Sequence, residues 1–276
     1  MKLRNLPASL LISSTLILSV GSCTTQHVQD DQSITFSNIK ITKSYSLNGS
    51  AKSFAADNDL IFTDSVSILI PSNIGNVDIK PLQDSILKIA FDTIGDNHTA
   101  LIDKYLVDKI SDFGFETTEC EISSHPYISD GFEIITGMIV NLSPDILVYC
   151  VSNESMMPRA AHGMTVKNYI NFIPDNGKIL SLNDIFTPDG LTELPDIIAK
   201  RAAEQIAILG PTEVNKLPEN GNFYISPSAE IVFVYQPYEI ASFAQGIIEI
   251  SFYPYELVSY MTSYATHYFR LTDMVQ

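Results

Sequence analysis

The sequence predicts an α+β fold in which antiparallel β-sheets are packed by a few amphipathic helices in two small subdomains. Three observations predict it. Many short stretches alternate apolar and polar residues and are bounded by Gly, Pro, Asn or Asp. A few longer stretches place apolar residues three and four apart. Strand-like and helix-like segments come in separate runs, as expected of α+β rather than of a parallel α/β sheet. With 45% apolar residues in 276, the chain is long enough to bury a substantial core.

In chain order, Ile34 to Leu47 predicts a first strand ending at Asn48-Gly49-Ser50, and Asp59 to Ile70 a second, closed by Pro71. Leu82, Ile86, Ile89, Ala90 and Thr93 fall at helical spacing. So do Ile102, Leu106, Ile110 and Phe113, after a break at Gly95-Asp96-Asn97. A β region follows through Phe115–Ser123, Phe132–Asn141, Ile146–Ser152 and Thr165–Ile173, with turns at Ser143-Pro144-Asp145 and Pro174-Asp175-Asn176-Gly177. Strands this close in sequence are expected to be antiparallel neighbours in a meander. A third helix is expected from Leu194 to Leu209, ended by Gly210-Pro211. A hairpin of Phe223–Ser226 and Ile231–Tyr235 comes next, then a strand with Ile248, Ile250 and Phe252 on one face. A last helix begins at Pro254 and carries Leu257, Tyr260, Met261 and Tyr264 on one side. The chain shows no internal repeat.

The N-terminus carries a targeting signal. Lys2 and Arg4 precede an apolar run from Leu10 to Val20 that is too short to span a membrane, and Gly21-Ser22-Cys23 resembles a lipobox. Residues 1–22 are therefore expected to be removed and Cys23 lipidated, with 23–33 as a polar tether, 34–155 as an N-terminal domain and 156–276 as a C-terminal one. Losing Lys2 and Arg4 leaves 14 basic against 32 acidic residues, a net charge of −18. That field disfavours nucleic acid and anionic lipid surfaces and attracts basic partners. Cys120 and Cys150 remain in an oxidising compartment, but the meander sets them two strands apart, about 9–10 Å, beyond the roughly 7 Å a disulfide spans. That spacing disfavours a bridge between them, which the compartment would otherwise permit.

Three segments together resemble a known family: Arg159-Ala160-Ala161-His162-Gly163 with Tyr169-Ile170-Asn171-Phe172 and Asn176 to Phe186; Asn222-Phe223-Tyr224-Ile225; and Gln236-Pro237-Tyr238-Glu239-Ile240-Ala241 with Gly246 and Tyr253-Pro254-Tyr255-Glu256-Leu257. They are similar to the RsiV-type extracellular domain, the outer part of a lysozyme-sensing anti-sigma factor and the companion of the PdaC-type peptidoglycan deacetylase. Residues 35 to 155 resemble the smaller PdaC-type domain that usually precedes it. Where the family has two glycines before the Ala-His-Gly alanine, this chain has Arg159 and Ala160. The deacetylase's Thr-Phe-Asp-Asp-Gly run is missing, as are the zinc cluster and internal membrane span of the anti-sigma factor. The resemblance implies an extracellular module alone, with a basic protein such as lysozyme, or peptidoglycan fragments, as partner.

For chemistry, His162 offers either a general base or a loop histidine bonded to backbone. Tyr235, Tyr238, Tyr253 and Tyr255 supply aromatic contact area with polar tips, and Glu239 and Glu256 beside them are the acid pair a glycosidase would need. His27, His98, His125 and His267 lack metal-pair spacing, so no metal and no cofactor is expected. The Ser-x-x-Lys matches at Ser37 and Ser85 occur at chance frequency, without a following Lys-Thr-Gly. The leading expectation is a non-catalytic envelope binding protein. A cell-wall or glycan hydrolase and a purely structural envelope protein are the alternatives. Converging acids, histidine and tyrosines in a deep pocket favour the hydrolase; a broad exposed aromatic face favours the binder.

Overall fold

The computed structural model describes residues 24–26, 34–48, 60–112, 116–119, 130–158, 160–205 and 214–274. The signal segment, Cys23, Cys120, Arg159 and the Gly210-Pro211 helix stop lie outside the described residues. The expected α+β class is observed. The elements are β1 (Thr24–Gln26), β2 (Ile34–Asn48), β3 (Leu60–Ile74), α1 (Lys80–Phe91), α2 (His98–Asp112), β4 (Glu116–Glu119), β5 (Gly131–Leu142), β6 (Leu147–Met156), β7 (Met164–Ile173), β8 (Lys178–Leu180), α3 (Leu182–Ile185), α4 (Pro188–Gln205), β9 (Phe223–Ile225), β10 (Ile231–Tyr235), β11 (Ile248–Phe252) and α5 (Ser263–Tyr268), with short 3₁₀ turns between.

Eight strands form one sheet in the order β1-β2-β3-β5-β6-β7-β8, with β4 also against β2. Its inner face shows why the alternating sequence folds this way. Val66, Ile68 and Ile70 of β3 point inward and pack with Leu82, Ile86, Ala90, Ile102 and Leu106 from α1 and α2, and Phe62 is buried on the same alternation. Pro81 opens α1, and Asp92 ends it in the left-handed region at φ 50°. At Gly137 of β5 a Cβ would sit 2.2 Å from the Tyr149 hydroxyl, so glycine is required for Tyr149 to cross the inner face and donate to Leu69 O at 2.6 Å.

The expected meander holds for β5 to β8 and fails before them. β4 pairs with β2, and β5 runs parallel to β3 in the register Phe62↔Gly131 to Ile68↔Gly137. A parallel pair needs a long crossover, which α1, α2 and β4 supply. Part of the expected tether is also ordered, since Thr24–Gln26 pairs with Ile34–Phe36. Its polar sequence hid this because strand addition at an edge is held by backbone bonds and needs no apolar period.

The second core joins the sheet β11-β10-β9 to α3, α4 and the C-terminal turns. Ile231, Phe233 and Tyr235 of β10 and Ile248, Ile250 and Phe252 of β11 fill it, with Leu194, Ile198 and Ala202 of α4 opposite. The third helix begins at Pro188, six residues before its first core leucine, and tolerates Pro195 inside it. The single last helix becomes two pieces, a 3₁₀ segment Pro254–Tyr260 and α5. Met261 is extended and bridges to Phe186, and the Thr262 side chain accepts from Ala265 N to start α5 afresh. The isolated bridge and the cap together outweigh continuation of the helix.

Candidate functional site

The three family-like segments meet at the seam between the two sheets, where most of their polar residues bind backbone. β8 pairs only with Asn171–Ile173 of β7, so the earlier part of that edge has no strand beside it. Side-chain amides take the place of a strand. Gln236 accepts from Lys167 N at 3.0 Å through Oε1 and donates to Lys167 O at 2.7 Å through Nε2. Asn222 accepts from Tyr169 N at 3.0 Å and donates to Lys167 O at 2.8 Å. Asn171, 1% exposed, donates to Phe223 O at 2.8 Å and accepts from Ile225 N at 2.9 Å, reproducing a two-bond ladder step with one side chain. Asn141 adds a bond to Ile225 O. These residues bind β9 and β10 to β7.

The two glutamates of the proposed acid pair are also committed to backbone. Glu239 accepts from Glu219 N at 2.7 Å and from Gln236 N at 2.8 Å. Glu256 accepts from Tyr253 N at 2.7 Å and pairs with Arg201. Tyr235 is fully buried, and its hydroxyl donates to Lys216 O at 2.9 Å, so it offers no surface to a ligand; burial pushes its hydroxyl pKa well up. This corrects the expectation of Tyr235 as a contact residue. An all-apolar face of β10 placed it in the core, a position its sequence neighbours Ile231 and Phe233 share by period two.

The remaining aromatic candidates separate into two groups. The His162 ring stacks on Phe243 with centroids 3.8 Å apart and planes 21° from parallel, and Tyr238 lies 5.5 Å from Phe243. His162 Nδ1 lies 3.0 Å from Gly163 O, which only accepts, so Nδ1 is the donor there, and Nε2 lies within hydrogen-bond distance of the Tyr238 hydroxyl at 3.4 Å. Tyr238 is 59% exposed and held at φ 71°. Tyr253 and Tyr255 form a parallel pair 5.6 Å apart, both exposed. Tyr238 follows the end of β10 at Tyr235, whereas Tyr253 follows β11 at Phe252, which pairs with the start of β10 at Ile231. Four residues of strand, roughly 13 Å, therefore separate the groups. His162 joins Tyr238, and neither meets the second pair.

Sequence reasoning missed three features. Phe243 is the ring that gathers His162 and Tyr238, and nothing in its spacing distinguishes it. On the outer face of the seam, Tyr169 and Tyr224 stack at 4.3 Å and donate to Glu249 at 3.4 and 3.2 Å. Cys150 is buried nearby, which pushes its thiol pKa up. In the first core, Asp64 and Glu133 are buried side by side in the β3–β5 register, with Lys109 between them. Asp64 was discoverable as the one charged residue in the inward set 62, 64, 66, 68 and 70. Among the described residues no group of three or more His, Cys, Asp or Glu is placed to hold a metal ion, and no helix is long and apolar enough to cross a membrane.

Residues 183–255 match the family model described as "Protein of unknown function (DUF3298)". The matched segment includes Asn222, Gln236, Tyr238, Glu239 and Phe243. No curated protein matches the chain. Among solved structures, a DUF3298 family member from Bacteroides fragilis superposes with a TM-score of 0.66 at 17% identity, covering 89% of this chain and 100% of that one. A DUF3298 family protein from Pseudomonas aeruginosa gives 0.50 at 14% identity, covering 83% of this chain and 96% of that one. The chain is thus similar to the DUF3298 family in sequence over residues 183–255 and in fold over most of its length.

Proposed function

We propose that this chain is a lipid-anchored, non-catalytic binding module of the cell envelope, and that its partner is a basic protein of the lysozyme kind. The supporting observation is the His162–Phe243–Tyr238 cluster, in which exposed His162 and Tyr238 gather on a half-buried Phe243 to form an aromatic surface with polar tips. Aromatic rings of this kind supply contact area at low entropic cost. A hydrolase would need two carboxylates free to exchange protons, and Glu239 and Glu256 are both spent on backbone amides and Arg201. The net charge of −18 after loss of the leader steers a cationic partner inward, and the RsiV-like resemblance names lysozyme as the first to try. Lipid on Cys23 would hold the module at the membrane.

The test is calorimetric titration of the mature chain with lysozyme at low and at physiological ionic strength, where exposed charges more than about 8 Å apart are screened. Saturable binding that survives in part at the higher salt supports the reading, whereas heat that vanishes there reduces it to charge attraction and overturns it. In cells, Cys23→Ala should move the protein out of the membrane fraction; a variant that stays there removes the lipid anchor from the account.

A further inference from the structure

A cavity of about 500 Å³ opens where the two cores meet and is lined by none of the aromatic cluster's residues. Ser85 and Ile89 of α1 form one wall, the β8–α3 corner around Asn183 a second, and Leu191, Asn220 and Phe223 close it from the second core. Two properties of the lining define what fits. Although the chain has 48 charged residues, none lines this space. The side chains of Ser85, Asn183 and Asn220 make no hydrogen bond within the described residues, so a hydroxyl and two carboxamides face the opening with both donors and acceptors unused. The other polar residues of the lining, Tyr169, Asn171 and Ser181, are bonded to Glu249, β9 backbone and Asp184, and the rest of the wall is apolar or backbone.

We infer that this groove binds a neutral saccharide of one or two rings. Its volume lies in the range of small-ligand sites, about 300–1,000 Å³. Uncharged walls in a strongly acidic protein leave no counter-charge for an anion and no carboxylate for a cation. Hydroxyls and acetamido groups donate and accept in alternation, which is what a carboxamide pair and a serine match, and the C–H faces of a pyranose suit Ile89 and Leu191. A second recess continues from the first, sharing Ser85 and Ile89 and reaching the 62%-exposed Ile94; its two charged residues, Asp84 and Lys88, are paired with Lys80 and Asp92, and it gives a second ring somewhere to extend. The site is independent of the protein-binding cluster.

The probe is N,N′-diacetylchitobiose, titrated into the full mature chain and followed by calorimetry and by amide chemical shifts, with trialanine as a second probe. Asn183→Ala removes no hydrogen bond of the fold, and Asn220→Gly keeps the φ of 57° accessible, so both variants should fold as the wild type does. Saturable saccharide binding, weakened at least tenfold in each variant and unchanged in Phe243→Ala, is the expected result. No saturable saccharide binding, binding indifferent to both asparagines, or saturation by trialanine alone would overturn the inference. Because Phe243→Ala strikes only the aromatic cluster, failure here leaves the protein-binding reading standing, and the reverse also holds.

Discussion

Replacing Asn171 by alanine is expected to destabilise the protein by about 4 kcal/mol, because two buried backbone groups of β9 lose their partners at once and each orphaned group costs about 1–3 kcal/mol. Phe223 O and Ile225 N have only the Asn171 carboxamide on that side, at 2.8 and 2.9 Å. Asn171→Asp serves as a second variant: it keeps the acceptor for Ile225 N, sets a carboxylate oxygen against Phe223 O, and buries a charge. It should be at least as damaging. Denaturant unfolding of both variants checks the claim, with stability read at constant slope. A loss below about 1 kcal/mol for alanine would show that β9 is held by packing alone. The fall in stability should come with local opening of β9 and β10, visible as faster amide exchange there than in β5 and β6.

The second large effect is a gain. Burial raises the Asp64 carboxyl from 3.8 to about 6; Lys109 opposes this, and the neighbouring Glu133 adds to it. Lys109 reaches Asp64 Oδ1 only at 3.7 Å and gives its closer contact to Glu133, which also accepts from Asn153 at 2.9 Å and from Tyr105 at 3.4 Å. Two buried acids thus share one lysine, and Asp64 is the worse served. The sign follows from linkage. Below about pH 4 Asp64 is protonated in both states and costs nothing. As pH rises from 4 to 6 the unfolded chain ionises first, so stability falls. Above 6 the full penalty remains, about 3 kcal/mol at 1.36 kcal/mol per unit. Asp64→Asn cannot ionise and presents an N–H to Glu133. Its stability relative to the wild type should therefore be near zero at pH 4 and approach 3 kcal/mol in its favour at pH 8. Taking the difference at each pH cancels the titrating groups that do not interact with Asp64, leaving Lys109 and Glu133 as its coupled neighbours. A variant less stable than the wild type at pH 8 would show that ionised Asp64 is held by its neighbours after all.

Most strands and the first two helices were legible because burial imposes a period on the sequence. Phe62, Val66, Ile68 and Ile70 alternate, and Leu82, Ile86 and Ala90 repeat at the helical spacing. Pairing was less legible. Nothing in Glu116–Glu119 says that it returns to β2, since which edge a strand joins depends on the crossover before it and not on its own side chains. The break at Met261 was hidden because Leu257, Met261 and Ala265 are all buried at four-residue spacing, a pattern that fits one helix as well as a turn followed by a capped helix. At the site, the recognisable segments were found for a reason other than binding. Asn171, Asn222, Gln236 and Glu239 stand out in sequence because polar residues are rare beside apolar runs, and they occupy those positions to satisfy backbone at the seam. The surface cluster gave a weaker signal. His162 and Tyr238 are 76 residues apart, and only the fold sets Phe243 between them.

The family-like residues thus divide into those that hold the two sheets together and those proposed to meet a partner. The most direct measurement compares Asn222→Ala with a Tyr238→Ser and Phe243→Ser double variant in the same two assays, thermal unfolding and lysozyme titration. The account predicts that Asn222→Ala lowers the melting temperature and, at a temperature where it is still folded, binds as the wild type does. The double variant should keep its melting temperature within a degree or two and lose affinity at least tenfold, about 1.4 kcal/mol. The account is contradicted if the double variant binds undiminished, or if Asn222→Ala abolishes binding while leaving the melting temperature unchanged.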